Sequence, residues 1–377
     1  MNFRRTKAVA FKEFLHVIRD PRSLGMAVAI PMLLLVLFGY ALTLDVDHVP
    51  LVVWDRSQTA QSRDFISRFT GSNYFSLKGM VWSHAELERA IDTGAAMMGM
   101  VIDSDFPKRL AQGRTAHVQI IVDGSDSNTA TIAIGYADVI VRTFSQDVLS
   151  AEIRRKGMRP LSPPLEIRPR VWFNEEMKSK NYIVPGLIAV IMMVIAALLT
   201  SLTVAREWER GTMEQLIATP VQAAELVLGK LVPYFAIGLT DVAIAIYMGE
   251  FVFGVPLRGN AALLFGVASV FLTGVLCMGV FISIAAKNQL MATQFSMVLT
   301  FLPAFLLSGF MYAISNMPHV IQVVTYLVPA RYFVAVMKGI YLKGVGLEIL
   351  GLDVALLVIF GLFMMFLSII KFKKKLS

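Results

Sequence analysis

The chain of 377 residues is 56% hydrophobic and only 16% charged, whereas about a quarter of the residues in ordinary soluble domains are charged. This excess of apolar residues excludes a soluble globular protein of this length. The apolar residues cluster in charge-free runs, and a bilayer core about 30 Å thick needs about 20 apolar residues in a helix. The runs predict an α-helical transmembrane protein with about six spans and an inserted α/β extracytoplasmic domain.

Residues 1–22 predict an amphipathic helix that lies in the headgroup layer on the cytoplasmic side. One apolar stripe with helical spacing comprises Phe11, Phe14, Leu15 and Ile18. Basic side chains cover much of the remaining surface, which is typical of a helix in the membrane interface; the alternative is a plain solvated N-terminus. Residues 23–44 form the predicted first span, which is too long for the apolar part of a cleaved signal.

Residues 45–180 predict the extracytoplasmic domain, because β-branched runs alternate with helical patterns. The four strand candidates are residues 49–55, 74–81, 95–103 and 117–124. Ser83 and Glu86 match a capping box at the start of one helix, and the last helical pattern runs from about residue 127 to residue 153. A proline-rich stretch, residues 159–170, returns the chain to the membrane.

Residues 181–377 predict a transmembrane domain with five further helices and a basic C-terminal tail. The apolar runs are residues 181–205, 226–248, 259–286, 288–330 and 349–370. The fourth run is long enough for one span and an additional piece. Arg331 and Lys338 follow it, which indicates either a re-entrant hairpin with an interfacial helix or an ordinary external loop.

Lysine and arginine side chains are concentrated at the two ends of the chain. The first 22 residues hold several, and the tail holds Lys371, Lys373, Lys374 and Lys375. Because positively charged flanks stay in the cytoplasm, both termini are predicted to be cytoplasmic, which requires an even number of spans. The formal charge of +8 is therefore interpreted as membrane-orienting charge, and we expect no nucleic-acid partner.

The loop after the second span carries two helix-start signals. Thr212 with Gln215 and Thr219 with Gln222 match the capping-box pattern, and the proline after Thr219 suits the first position of a helix. The sequence thus predicts a short charged helix near residues 206–219 and a second helix that runs from this proline into the third span. Such an element would be rigid, since it joins two spans without slack.

No motif for catalysis or nucleotide binding is present. Gly229 and Lys230 are followed by leucine and lack the upstream glycine of an ATP-binding P-loop. Patterns of zinc proteases, dithiol redox proteins and serine hydrolases are also missing, and the five histidines are scattered. We therefore assign no catalytic, cofactor-binding or metal-binding residues and expect a transport subunit rather than an enzyme.

Asp241 is the one acidic residue well inside a predicted span, where a charged side chain costs roughly 2.5–3.5 kcal/mol. It could belong to a substrate path or take part in proton coupling. Alternatively it makes a structural hydrogen bond to a neighbouring helix, or the span ends closer to it than the apolar run suggests.

Three stretches together resemble the permease subunits of bacterial type-2 ATP-binding-cassette (ABC) exporters, in the drug-efflux subgroup with a large external domain. These stretches are residues 12–42, 205–216 and 308–333. The resemblance covers essentially the whole chain and implies a multi-pass protein of the bacterial inner membrane. It also implies a dimer, formed with a second copy or with a sister permease, and often a periplasmic adaptor protein.

The resemblance further implies that a separate ATPase subunit binds the ATP and drives alternating access. Residues 1–22 would then be the elbow helix, and the charged helix after the second span would be the coupling helix that sits in a groove of the ATPase. The implied docking residues are Arg206, Glu207, Glu209, Arg210, Gly211, Thr212, Glu214 and Leu216. The residues alone leave open that Arg210 and Glu214 pair with each other on a solvated helix face.

The expected function is ATP-driven export of drugs, lipids or other amphipathic compounds out of the cytoplasm or inner membrane. A proton-coupled secondary transporter that uses Asp241 is one alternative. A membrane receptor with the outer domain as sensor is another, although it would need fewer spans. The sequence identifies neither the substrate nor whether the dimer is homomeric.

Overall fold

The structure, a computed structural model, describes the chain in three stretches, residues 2–42, 46–155 and 170–372. Almost all of the predicted proline-rich stretch, residues 159–170, lies outside the described residues. The tail lysines Lys373, Lys374 and Lys375 lie outside them as well.

The chain divides into two compact units, Met1–Thr43 with Arg170–Ser377, and Leu44–Pro169. The sequence predicts an outer domain that ends at residue 180, whereas the compact outer unit ends at Pro169. Within the helical unit, the Asn181 side chain donates a hydrogen bond of 2.8 Å to the side chain of Asn174. This bond ties the segment that begins at Arg170 to the start of the next helix.

The helices in the described residues are α1 Phe3–Arg19, α2 Pro21–Ala41, α3 Ala60–Thr70, α4 His84–Asp92, α5 Phe106–Ala111, α6 Ser127–Arg155, α7 Ser179–Glu209, α8 Thr212–Ala218, α9 Ala223–Phe251, α10 Ala261–Ala286, α11 Gln289–Leu307, α12 His319–Thr325, α13 Pro329–Lys338 and α14 Leu347–Lys371. The strands are β1 Val49–Asp55, β2 Phe75–Met80, β3 Met98–Ile102 and β4 Val118–Val122.

The outer unit is the α/β domain that the sequence predicts. Its sheet has the order β2-β1-β3-β4, with β1 parallel to both neighbours and β4 antiparallel to β3. One face packs on the rings of Phe65, Phe69, Phe106 and Phe144. The other face packs on Leu87 and its neighbours. The central strands are apolar on both sides because helices cover both faces of the sheet.

Five helices of the other unit, α7, α9, α10, α11 and α14, are long and apolar enough to cross a membrane. The 21-residue helix α2 adds a shorter apolar stretch, Ala27–Ala41. Helices α12 and α13 form a pair bent by 86°, which is the geometry of a broken span or a re-entrant loop. The predicted fold class, with about six spans and an inserted α/β domain, is confirmed.

The bent pair replaces the ordinary loop that the sequence left as an alternative. The Arg331 guanidinium, on α13, donates to the hydroxyl of Thr325 on α12 and lies 3.7 Å from the ring centroid of Tyr326. Lys338 donates to the carbonyl of Gly309 at 2.9 Å. Most of α13 is buried, so this helix is held against the other helices, whereas the side chains of α12 are mostly exposed.

Helix α7 lies at the centre of the helical unit and approaches α10 most closely at Gly279. A Cβ atom at this position would lie 2.0 Å from the Thr200 hydroxyl oxygen and 2.4 Å from the Ala197 carbonyl oxygen. The Thr200 hydroxyl also donates to the carbonyl of Leu276 on α10 at 3.0 Å. Small residues that bring backbones together, with hydroxyl groups bonding across, are the usual means of helix association in membranes.

We expect Gly279→Ala to destabilise the helical unit, because the added methyl group must push α7 and α10 apart. Overpacking of this kind costs about 1–3 kcal/mol, which would appear as a lower midpoint of thermal unfolding in detergent. Gly266→Ala on the same helix is the matched control, since a Cβ there meets no atom within 4 Å. Equal midpoints for the two variants would contradict the close approach.

Candidate functional site at the ends of helices α7 and α9

The short charged helix after the second span is α8, and its bounds differ from the predicted ones. Helix α7 continues as far as Glu209. Gly211 then adopts a left-handed conformation with φ of 70°, which glycine reaches without strain, and α8 starts at the next residue. The first part of the predicted helix is therefore the end of a spanning helix.

The helix that enters the third span starts at Ala223 and not at the proline predicted from the second capping signal. The Glu225 carboxylate accepts a hydrogen bond of 2.9 Å from the backbone N–H of Gln222, so the effective cap lies three residues further along. The carbonyl of Pro220 instead accepts a 2.5 Å hydrogen bond from the Arg5 guanidinium on α1.

Four of the predicted docking residues are exposed on or beside α8, namely Glu209, Arg210, Gly211 and Glu214. Thr212 and Leu216 are half-buried, and Leu216 packs against the core of the helical unit. Met213 anchors α8 because its side chain is buried in the same core. Helix α8 thus presents one charged face outward while its other face is fixed to the protein.

Arg210 and Glu214 form no ion pair in the described part of the chain. The self-paired helix face, which the residues alone left open, is therefore not what the structure contains. Both charges remain available to a partner.

The other two predicted docking residues differ from these four, because Arg206 is half-buried, Glu207 is buried, and both contact α1. Glu207 is buried, and its Oε1 atom lies 3.1 Å from the ammonium groups of both Lys12 and Lys230. Arg206 contacts the His16 ring nitrogen at 3.2 Å. Both side chains are engaged with α1, which local sequence patterns could not reveal.

Lys230 is the centre of this cluster and is only 1% exposed. Its ammonium group lies 3.3 Å from Glu13 and 3.1 Å from Glu207. The other Glu13 oxygen accepts a hydrogen bond of 3.2 Å from the Tyr234 hydroxyl. Because burying an ion is costly unless it is paired, these contacts hold α1, α7 and α9 together. We refer to Lys12, Glu13, Glu207, Lys230 and Tyr234 as the lysine cluster.

Helix α1 is also docked along α9 by close backbone packing. A Cβ at Gly229 would lie 2.7 Å from the Val9 side chain and 3.1 Å from the Thr6 carbonyl. The backbone N–H of Asn2 donates a 2.5 Å hydrogen bond to Glu225. No local sequence pattern identifies Glu13 as part of this cluster. The sequence holds one indication of a buried polar cluster here: Lys230 and Tyr234 have i,i+4 spacing, so these two polar residues lie on one face at the start of an apolar span.

Asp241 lies well inside α9, which continues to Phe251. The helix itself therefore does not end near Asp241. The side chain is 1% exposed, and its Oδ1 atom has no hydrogen-bond partner among the residues that the structure describes. These residues also contain no group of three or more His, Cys, Asp or Glu that could hold a metal ion.

Comparison with known proteins decides the family. A sequence profile described as "ABC-2 family transporter protein" matches residues 21–370. The chain belongs to this family. The ABC-2 protein is 37% identical over all of its length to the probable multidrug ABC transporter permease YbhS of Escherichia coli strain K12, 99% of which is covered.

Two further relatives of the same organism match the ABC-2 protein along most of its length. The probable multidrug ABC transporter permease YbhR is 30% identical, with 92% of each chain covered. The inner membrane transport permease YhhJ is 24% identical, with 92% of this chain and 93% of YhhJ covered. The family resemblance carried by the three sequence stretches is thus confirmed.

We expect Lys230→Met to destabilise the ABC-2 protein strongly, because it leaves the Glu13 carboxylate buried without its counter-charge. Removing one partner of a buried ion pair costs about 3–5 kcal/mol. Thermal unfolding in detergent measures the loss, and Lys7→Met, at an exposed position on α1, is the matched control.

The double variant Glu13→Gln with Lys230→Met separates charge from packing. It removes the uncompensated carboxylate, so it should recover much of the stability that the single variant loses. A double variant as unstable as the sum of the two single variants would show that the ion pair contributes nothing.

Proposed function

We propose that this ABC-2 protein is the membrane subunit of an ATP-driven exporter for drugs, lipids or other amphipathic compounds. A separate ATPase subunit would bind and hydrolyse the ATP. Family membership supports this assignment, and two of the relatives are named as probable multidrug permeases. The observation that carries the proposal is α8, a short helix fixed between two long apolar helices with the unpaired charges Arg210 and Glu214 facing outward.

Helix α8 is connected so that a force on it would reach several spans. The Thr212 hydroxyl contacts the Glu207 carbonyl at 3.4 Å, and the Glu209 carboxylate accepts a hydrogen bond of 2.8 Å from the Gln289 backbone N–H at the start of α11. From Glu207 the lysine cluster continues to α9 and α1. ATP-driven movement of a partner at α8 would therefore displace α7, α11 and α9 together.

We place α8 and both termini in the cytoplasm and the α/β domain outside the inner membrane. The basic residues at the chain ends support this orientation. The functional unit would be a dimer with a second copy or a sister permease, and a periplasmic adaptor protein would contact the outer domain. Arg210, Gly211 and Glu214 form the centre of the proposed ATPase contact, with Glu209, Thr212 and Leu216 beside them.

We expect Glu214→Arg to weaken copurification with the proposed ATPase subunit by about tenfold or more, since like charges that meet at an interface are strongly unfavourable. Glu175→Arg is the matched control. It is the same charge change at an exposed residue just before the opposite end of α7.

The Glu214→Arg variant should keep its thermal stability, because Glu214 is exposed and forms no ion pair with any residue that the structure describes. Unchanged copurification, or an equal loss with Glu175→Arg, would contradict docking at α8.

Asp241 is proposed as part of the substrate path, since a buried carboxylate oxygen without a partner can attract a cationic compound. Asp241→Asn should reduce export of cationic drugs several-fold and leave export of uncharged drugs unchanged, as measured in inverted membrane vesicles with ATP. Asp241-dependent export that continues without ATP and without the ATPase would instead establish proton coupling.

A further inference from the structure

Two cavities lie side by side where α1 meets α7 and α9. The first has a volume of about 140 Å³, and apolar residues of α2, α7 and α9 form most of its wall. The second has a volume of about 190 Å³ and is lined mainly by polar and charged residues. His16, Arg206 and Tyr234 line both cavities. Together they form one amphipathic site with an apolar end and a charged end.

The position of α1 indicates what surrounds this site. The apolar side chains of Phe3, Phe11, Phe14 and Ile18 are exposed on one face of α1. A basic amphipathic helix with such a face lies in the boundary between headgroups and acyl chains. The cavities at the C-terminal half of α1 are therefore at the level of lipid headgroups. Leu24, Ala27 and Ile30 of α2 extend the apolar wall into the acyl region.

The charged end suits a phosphate group. The Arg206 guanidinium has five N–H donors, and one of its nitrogens contacts His16 at 3.2 Å. Arg210 and Lys12 line the same cavity. Guanidinium groups bind phosphate oxygens in a forked, bidentate manner. The Arg206 guanidinium can thus hold a phosphodiester that enters from the headgroup layer, and the positive charges of Lys12 and Arg210 on the same wall favour an anion there without being released from their other contacts.

The two carboxylates in this cavity differ in how well their oxygens are satisfied. Both oxygens of Glu13 are occupied, one by Lys230 and the other by the Tyr234 hydroxyl. In Glu207 the Oε1 atom receives both lysines, while the buried Oε2 atom has no hydrogen-bond partner among the described residues. A buried carboxylate oxygen calls for a donor, and an ammonium group is the donor that also matches its charge.

We propose that these cavities bind one phospholipid whose headgroup carries a primary ammonium group, of the phosphatidylethanolamine class. The phosphate lies at Arg206, the ammonium group reaches Oε2 of Glu207, and the first methylene groups of an acyl chain enter the apolar cavity. The bound lipid completes the lysine cluster and connects α1 to the bilayer. This role is independent of the compound that the protein exports.

Native mass spectrometry of the purified full-length chain tests the site. Dioleoyl phosphatidylethanolamine, dioleoyl phosphatidylglycerol and dioleoyl phosphatidylcholine are added separately at equal concentrations. We expect one tightly bound phosphatidylethanolamine with an apparent Kd about tenfold below those of the other two lipids. Glu207→Gln should remove this preference, whereas Glu209→Gln, at an exposed residue of the same helix, should preserve it.

Leu202→Trp provides a second variant that leaves the charged residues intact, in case Glu207→Gln does not fold. The larger ring fills the apolar cavity that Leu202 lines, so it should abolish the tightly bound lipid. Equal affinities for all three lipids, a preference that persists in Glu207→Gln, or lipid binding unaffected by Leu202→Trp would each overturn the proposal. In those cases water fills the charged cavity, or lipid binds without the ammonium contact.

Discussion

A single buried ammonium group, that of Lys230, joins parts of the chain that are far apart in sequence. Its partner Glu13 is 217 residues away, and its other partner, Glu207, ends a different helix. An ion this deeply buried is stable only while both carboxylates stay in place. The elbow-like helix α1 and the spans α7 and α9 are therefore constrained to keep one arrangement at this end of the unit.

This constraint determines how a force on α8 would affect the other helices. A short helix on a flexible loop would absorb a push from a partner. Here Met213 is buried in the core, and only two residues separate α8 from the end of α7. The lysine cluster then connects α7 to α9 and α1. Under the proposed function, movement of a partner at α8 would be transmitted as displacement of whole helices.

Much of the architecture follows from local patterns. The long charge-free runs predict the spans, and the alternation of β-branched runs with helical spacing predicts the outer domain. What the sequence could not show is where distant segments meet. The family resemblance implies Glu207 as a docking residue of the charged helix, whereas the structure shows that residues of α1 cover its side chain. Glu13 was overlooked because its partner lies on another helix.

Helix ends show the same limit on a smaller scale. The capping patterns at Thr212 and Thr219 predict helices that start at the residues directly after them. In the structure, the left-handed Gly211 directly precedes α8, and Gln222 with Glu225 forms the cap of α9. The surroundings of Asp241 are likewise a tertiary property. The sequence predicts that a carboxylate lies in a span, but only the packing shows that one of its oxygens has no hydrogen-bond partner among the residues the structure describes.

The ion pairs of the Lys230 ammonium group hold α1 against the end of α7. Pulsed electron paramagnetic resonance between spin labels at Ala8→Cys and Gln215→Cys measures whether these ion pairs fix the distance between α1 and α8, with the single native cysteine, Cys277, replaced by alanine. Both labelled positions are exposed. We expect one narrow distance distribution when Lys230 is present and a broad distribution in Lys230→Met. A distribution equally narrow in Lys230→Met would contradict this role of the ion pairs.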